Sequence, residues 1–536
     1  MVNKEVVRDS SVARSARIVS LAVFGSRILG LVRETVIAGL FGAGLESDAF
    51  NTAFKIPNLL RDLFAEGALS AAFVTTFTQK LANEGETSAW RLANLVLNAL
   101  LVVLSAITLL GILIAPWLVH LVAPGFAREP GKIELTIRMT RIMFPFLLMV
   151  AIAALAMGIL NSKHRFGIPA SASTMFNVGS ILGGVGLAFL LAPNFRHDPS
   201  QMPRAIIGVS IGTLIGGALQ WLIQIPSLRQ VGYRYQAILD WRDPGFRGVL
   251  RLLGPSIVGT AAMQINILID GSFASHYGNG AVTWLNCAFR LVLFPIGLFG
   301  VAIGVATLPT ASAHAARGNI AEFRKTVARS IRLALFLSLP AACGLVVLAR
   351  PVISVIYEHG KFSAESMEQT AFCLQALAVG LAGYAGAKII APTFYALGDS
   401  QTPMYVAIFS VLVNAGLDYV FAVLMGMRTP GLALSTSFVA LTNFFLLLVF
   451  MRRKIGRIEA SALVNSLLRI GAASAVMTAA AYGTHRLLEA HRYLDVTASI
   501  AVAVAVFGVS CHLLRVEELR DFLSVIGPRP KQTKSV

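Results

Sequence analysis

Charge is what this sequence has least of: only 13% of its 536 residues are Asp, Glu, Lys or Arg, while 56% are hydrophobic. A chain so poor in charge cannot clothe a soluble globule. Acidic residues are scarcer still, 27 against 45 Lys and Arg, so the formal net charge is +18. Cysteine is nearly absent. Cys287, Cys343, Cys373 and Cys511 lie far apart in apolar stretches with no CxxC or CxxH spacing, which excludes a disulfide framework and a structural zinc site. No HExxH, paired-aspartate motif or glycine-rich phosphate loop appears. GVSIG (208–212) matches GxSxG only formally, because a nucleophile elbow needs a strand-to-helix turn and this pentapeptide lies inside a charge-free helix. A membrane enzyme acting on lipid-linked sugars is left without visible chemistry, and the chain reads as a non-enzyme.

What the sequence has in abundance is long apolar runs, such as 92–127, 166–195, 205–228, 291–316 and 429–451, against the roughly 20 residues needed to cross a bilayer. The expectation is an all-α polytopic membrane protein with about fourteen helices, near 18–42, 48–79, 92–121, 133–160, 166–193, 205–228, 252–275, 282–312, 333–349, 369–395, 403–425, 429–451, 460–484 and 494–514. The first seventeen residues are polar and basic, so no cleavable signal peptide is expected and the helices themselves direct insertion. Loops on one side hold 27 Lys and Arg, and the opposite loops, Lys132 among them, hold nine. By the positive-inside rule both termini are cytoplasmic, as an even number of spans requires. Segregation of the basic residues into alternate loops also argues against a nucleic-acid partner.

Weak self-similarity divides the chain. GVSIGTLIGGALQWLIQIPSLRQVG (208–232) is echoed by GLALSTSFVALTNFFLLLVFMRRKIG (431–456), and FKIPNLLRDLF (54–64) by FRLVLFPIGLF (289–299). The expected organisation is two six-helix lobes around a central cavity, residues 1–232 and 233–457, followed by two C-terminal helices and a tail, 458–536. Such repeats are a transporter architecture with the binding site between the halves.

Nine basic residues fall inside the expected spans. An arginine near the bilayer centre costs roughly 2.5–3.5 kcal/mol on insertion scales, so such residues face a protein interior or a wet cavity. Arg27 and Glu34 stand about two turns apart on one helix face, with Arg33 about 120° away. Arg61 and Glu66 follow on the next helix, where Pro57 should break or bend it. Arg27–Glu34 and Arg61–Glu66 are the expected ion pairs, which leaves Arg33 in excess. Arg290, at the matching place of the second lobe, is expected to face the first-lobe arginines. An excess of planar guanidinium groups suits an anionic ligand such as phosphate or pyrophosphate. A second polar group comprises Gln264, Asn266 and Asp270, then Asn414 and Asp418; two buried carboxylates with amide oxygens suit a hard cation.

The run SRILGLVRETVIAGLFGAGLESDAFNTAFKIPNLLRDLFAEGALSAAFV (26–74) resembles the opening of the MurJ/MviN family of the MOP exporter superfamily. The likeness continues through APGF (123–126), ILNSKHRFGIPA (159–170), CAFRLVLFPIGLFGVAIGVATLP (287–309) and YEHGKF (357–362). The resemblance implies a lipid II flippase of the bacterial plasma (inner) membrane. Such a protein carries undecaprenyl-pyrophosphate disaccharide-pentapeptide from inner to outer leaflet by alternating access, for peptidoglycan synthesis. It implies Arg27, Arg33, Arg61, Arg290, Glu34, Asp48 and Glu66 as substrate-binding residues and a sodium site at Asp270, Asn414, Asp418 and Thr436. No cofactor is required beyond that sodium ion. The implied partners are lipid II, membrane lipids and peptidoglycan-synthesis proteins. Where family members often carry an acid or amide three positions after the second-lobe arginine, this chain has Leu293.

Two transporter alternatives stay open. A flippase for another polyprenyl-pyrophosphate oligosaccharide would use the same arginines. A cation-coupled drug exporter would need an apolar or acidic cavity, which clustered arginines disfavour.

Overall fold

The computed structural model describes residues 2–64, 68–456 and 460–526. All regular structure among them is helical. The chain forms two compact units, Met1–Thr283 and Trp284–Val536.

The first unit contains helices α1 (Val2–Phe41), α2 (Leu45–Phe64), α3 (Ala68–Asn83), α4 (Glu86–Val122), α5 (Lys132–Met143), α6 (Phe146–Ser162), α7 (Gly167–Leu191), α8 (Met202–Leu222), α9 (Ile225–Gln230) and α10 (Pro244–Ala274). Helix α11 (Ala281–Pro295) leads into the second unit. That unit holds α12 (Ala302–Ala316), α13 (Ile320–Val347), α14 (Ala349–Tyr357), α15 (Ala364–Val379), α16 (Leu381–Ala396), α17 (Gln401–Asp418), α18 (Arg428–Ile455), α19 (Ala460–Leu488), α20 (Arg492–Leu513) and α21 (Glu517–Ile526). Short π-helical segments, Ile296–Val301 and Tyr419–Leu424, follow α11 and α17.

Local chemistry sets several starts. Asp243 accepts from the Phe246 amide at 3.0 Å ahead of Pro244, Asn319 caps α13, and Ser363 caps α15. Against the fourteen expected spans, ten described helices are long and apolar enough to cross a membrane, or eleven if α15 and α16, bent by 44°, count as one. Helices α1, α2 and α10 stand outside that set, as does α3, which is 16 residues long. A break at Pro57 is corrected: α2 runs through it to Phe64, and residues 65–67 lie outside the described residues.

Small residues bring helices to backbone contact in both units. Between α7 and α8, a Cβ on Gly208 would stand 2.6 Å from the Ala188 nitrogen. Between α16 and α18, a Cβ on Gly383 would stand 2.7 Å from the Ala440 carbonyl carbon. Where lipid is as apolar as leucine, this closeness and the dispersion it permits are what hold helices together. Helix α1 is tied to the α7–α8 pair through buried Asn177, whose amide donates to the Ser26 carbonyl at 3.1 Å.

Candidate substrate site and buried charge clusters

In the first unit the mid-helix charges are held by neighbours in sequence. Arg33 is 9% exposed; its guanidinium donates to Glu34 at 2.8 Å and lies over the rings of Phe54, at 5.9 Å, and Phe176, at 5.1 Å. Phe146 packs between those two rings, with centroids at 5.5 and 5.4 Å, completing an aromatic nest. The Arg27–Glu34 pairing read from the sequence is therefore corrected. Seven residues of helix separate those two by about 10.5 Å of rise, whereas Glu34 needs no reach to meet Arg33. Arg27 is exposed.

Arg61 likewise turns to the next residue, donating to Asp62 from Nε at 3.0 Å and from its terminal nitrogen at 2.7 Å. Asp62 in turn accepts from Gln264 of α10 at 3.1 Å. Glu66, the partner expected for Arg61, lies outside the described residues. Nearly two turns before Arg61 on α2, Lys55 donates to the Ile267 carbonyl at 3.3 Å, and Asp270 acts on it electrostatically. Helices α1, α2 and α10 thus carry neighbouring cations and anions, and the Arg33 guanidinium is backed by aromatic rings.

Asp48 sits in a different setting. Both it and Lys132 are fully buried, joined at 2.9 Å, and Lys132 also donates to Asn279 at 2.9 Å while facing the Phe126 ring at 4.2 Å. Asp48 accepts three further bonds, from the Gly280 amide at 2.8 Å, the Thr283 amide at 2.9 Å and the Thr283 hydroxyl at 2.7 Å. This clasp joins the starts of α2 and α5 to the α10–α11 turn. Lys132, which its sequence position assigns to an exposed loop, is corrected to a buried ion-pair partner: a desolvated ammonium persists only where a carboxylate and further acceptors meet it.

In the second unit, Asp418 is fully buried where α17 passes into its π-helical extension. It accepts from the Asn414 amide at 3.2 Å and from the hydroxyl of Ser435 on α18. Thr436 turns its hydroxyl back to the Leu432 carbonyl at 2.8 Å. Asp270 belongs to the first unit, beside Lys55. No cluster of three or more His, Cys, Asp or Glu side chains able to hold a metal occurs among the described residues. Arg290, on α11, is half-buried.

A family model described as "Lipid II flippase MurJ" matches residues 37–501. The chain belongs to the MurJ family. Relatives named as lipid II flippases MurJ include a probable one of Vibrio cholerae, 35% identical over 83% of each chain. Another, of Burkholderia cenocepacia, is 35% identical over 80% of this chain and 81% of its own. A solved structure of lipid II flippase MurJ in an inward closed conformation superposes with a TM-score of 0.76 at 25% identity, covering 94% of this chain and 99% of that one. An inward-facing MATE-family multidrug transporter of the MOP superfamily matches at a TM-score of 0.66 and 17% identity, over 82% and 95% of the two chains, which speaks to the fold alone. This member of the MurJ family is a multi-pass membrane protein of MOP-type fold.

Several polar residues at these clusters escaped the sequence reading, Asn279 and Thr283 of the clasp among them. Asp62 stands beside Arg61 in RDLF, and adjacency was the signal for it. Asn177 and Ser435 carry none, since a lone amide or hydroxyl in an apolar helix becomes informative only when its partner helix is known.

Proposed function

We propose that this protein flips lipid II from the inner to the outer leaflet of the bacterial inner membrane by alternating access, feeding peptidoglycan synthesis. Membership of the MurJ family supports the substrate. The observation that carries the site is the part-buried guanidinium of Arg33 in its aromatic nest, with Lys55 and Arg61 on the adjoining helix. These cations suit a pyrophosphate head group, and a planar guanidinium offers it paired donors. Arg27, Arg33, Arg61 and Arg290 are assigned to the head group, with Glu34 and Asp62 holding two of them in place. Glu66 keeps the role the family likeness suggests. Asp48 acts through its clasp with Lys132. Both termini are assigned to the cytoplasm by the charge bias of the loops. A sodium ion at Asn414 and Asp418, with Thr436 as a further ligand, is the proposed coupling ion; the buried Asp418 carboxylate supports it.

The test follows labelled lipid II at the outer leaflet of cells depleted of their own flippase. Arg33→Ala and Arg290→Ala are expected to abolish its appearance while the protein stays in the membrane at normal level. Normal export in both variants would sink the site. Export of a different polyprenyl-pyrophosphate oligosaccharide at equal rate would broaden the substrate class. For the ion, export unchanged on replacing sodium with a bulky cation, with Asp418→Asn also silent, removes it.

A further inference from the structure

One cavity in the first unit takes no part in the flipping site. It holds about 330 Å³ and is lined by His164, Arg165, Phe166, Gly167 and Ile168, where α6 passes into α7, and by Ser227 and Gln230 of α9. Its residues come from ILNSKHRFGIPA, a motif the transport reading leaves unused. One wall is polar and cationic. Arg165 and His164 are exposed, and the Arg165 guanidinium makes no hydrogen bond or ion pair with a described residue. The other wall is apolar, with Ile168 39% exposed at the first turn of a candidate span.

The depth of this cavity is marked by the chain next to it. Residues 233–238 lie along α4 without helical structure, pinned by two buried asparagines one turn apart. Asn94 donates to the Arg234 carbonyl at 3.0 Å, and Asn98 donates to the Gln236 and Ile238 carbonyls at 2.8 Å each. This strap leaves Tyr235 58% and Trp241 46% exposed, beside exposed Arg234 and Arg242. Exposed tyrosine and tryptophan interleaved with arginine are the composition of the membrane–water interface. Strap and cavity are coupled: Lys163 lies over the Trp90 ring at 5.1 Å, and Trp90 packs edge-on against Tyr233 at 5.8 Å.

We propose that this cavity binds the phosphate of an anionic phospholipid, with Arg165 and the Ser227 hydroxyl on the phosphate and Ile168 against the first methylenes of the acyl chains. An amphipathic pocket at head-group depth has a polar side for the phosphodiester and an apolar side for the glycerol and chain. A soluble anion would use only the first. Charge favours an anionic lipid over a zwitterionic one, since a basic residue near the surface is worth about 1 kcal/mol, or about fivefold, per charge.

The test uses the full chain in nanodiscs containing equal phosphatidylglycerol and phosphatidylcholine, with retained lipids counted by native mass spectrometry after mild release. The wild type is expected to retain phosphatidylglycerol preferentially. Arg165→Gln should lower that retention about fivefold, Arg165→Lys should keep most of it, and Ser227→Ala combined with Arg165→Gln should lower it further, all with unchanged thermal melting. Equal retention of the two lipids by the wild type, or undiminished phosphatidylglycerol on Arg165→Gln, overturns the proposal. Displacement of the lipid by millimolar inorganic phosphate also overturns it, because the site would then belong to a soluble anion.

Discussion

The first unit holds two sets of buried charge, and they are built in opposite ways. In the Asp48–Lys132 clasp the partners come from different helices, both side chains are fully removed from solvent, and the carboxylate accepts four hydrogen bonds. At Arg33–Glu34 and Arg61–Asp62 each pair comes from consecutive residues of one helix and keeps partial exposure. A pair between helices fixes tertiary structure, since neither charge is satisfied until the helices meet. A pair of neighbours forms within its own helix, whatever other helices add through Phe54, Phe176 and Gln264, and it keeps an arginine at tolerable cost inside the protein. The same chemistry therefore serves architecture in one place and recognition in the other.

The sharpest way to break this contrast is to remove one member of the clasp. Asp48→Ala should destabilise the protein by on the order of 3–5 kcal/mol, as expected for a buried ion left unpaired, measured as loss of monodisperse protein on heating in detergent. Lys132→Met should cost less, because Asp48 keeps its three donors at Gly280 and Thr283. A next test lies in the α7–α8 seam, where overpacking by Gly208→Ala should cost about 1–3 kcal/mol in the same assay without changing substrate preference. Arg61→Ala should move stability by only about 1–2 kcal/mol yet abolish outward appearance of lipid II. If Arg61→Ala unfolded the protein as thoroughly as Asp48→Ala, the division between clasp and recognition charges would fail.

The smallest effect belongs to the surface. Asp399, in the turn between α16 and α17, is held down to about 2, first by the hydrogen bond from Lys454 at 2.8 Å and then by the Thr402 amide. A carboxyl depressed in the folded state contributes stability that is fully present above its ordinary value near 4 and is lost as pH falls through its folded value. Asp399→Asn should therefore lower stability slightly at neutral pH and flatten the acid limb between about pH 4 and pH 2. An acid limb unchanged by the substitution would show that the bond to Lys454 contributes nothing in solution.

Much of the frame was legible from composition and pattern. Apolar runs of spanning length announce membrane helices, because hydrocarbon demands it residue by residue. The segments 208–232 and 431–456 each lie in a close seam, the first through Gly208 against α7 and the second against Gly383 of α16. Arg27, Arg33, Arg61 and Arg290 are conspicuous for the same reason, being costly where they stand. The partners were harder to read. Helical periodicity ranks faces, and by that measure Arg27 and Glu34 match; it does not know that a carboxylate takes the guanidinium beside it when that guanidinium is already packed on Phe54 and Phe176.

The sequence by itself determined that this is a many-helix membrane protein with cations in its spans, because hydropathy and charge are properties of each residue wherever the chain goes. Only tertiary structure decided what those charges do. Lys132 changes from loop residue to buried clasp when Asp48 and Asn279 reach it from 84 and 147 positions away, and Asn94 and Asn98 become the anchors of a strap that lies 140 residues further on. Pairing is a property of two places in space, and the second place is written elsewhere in the chain.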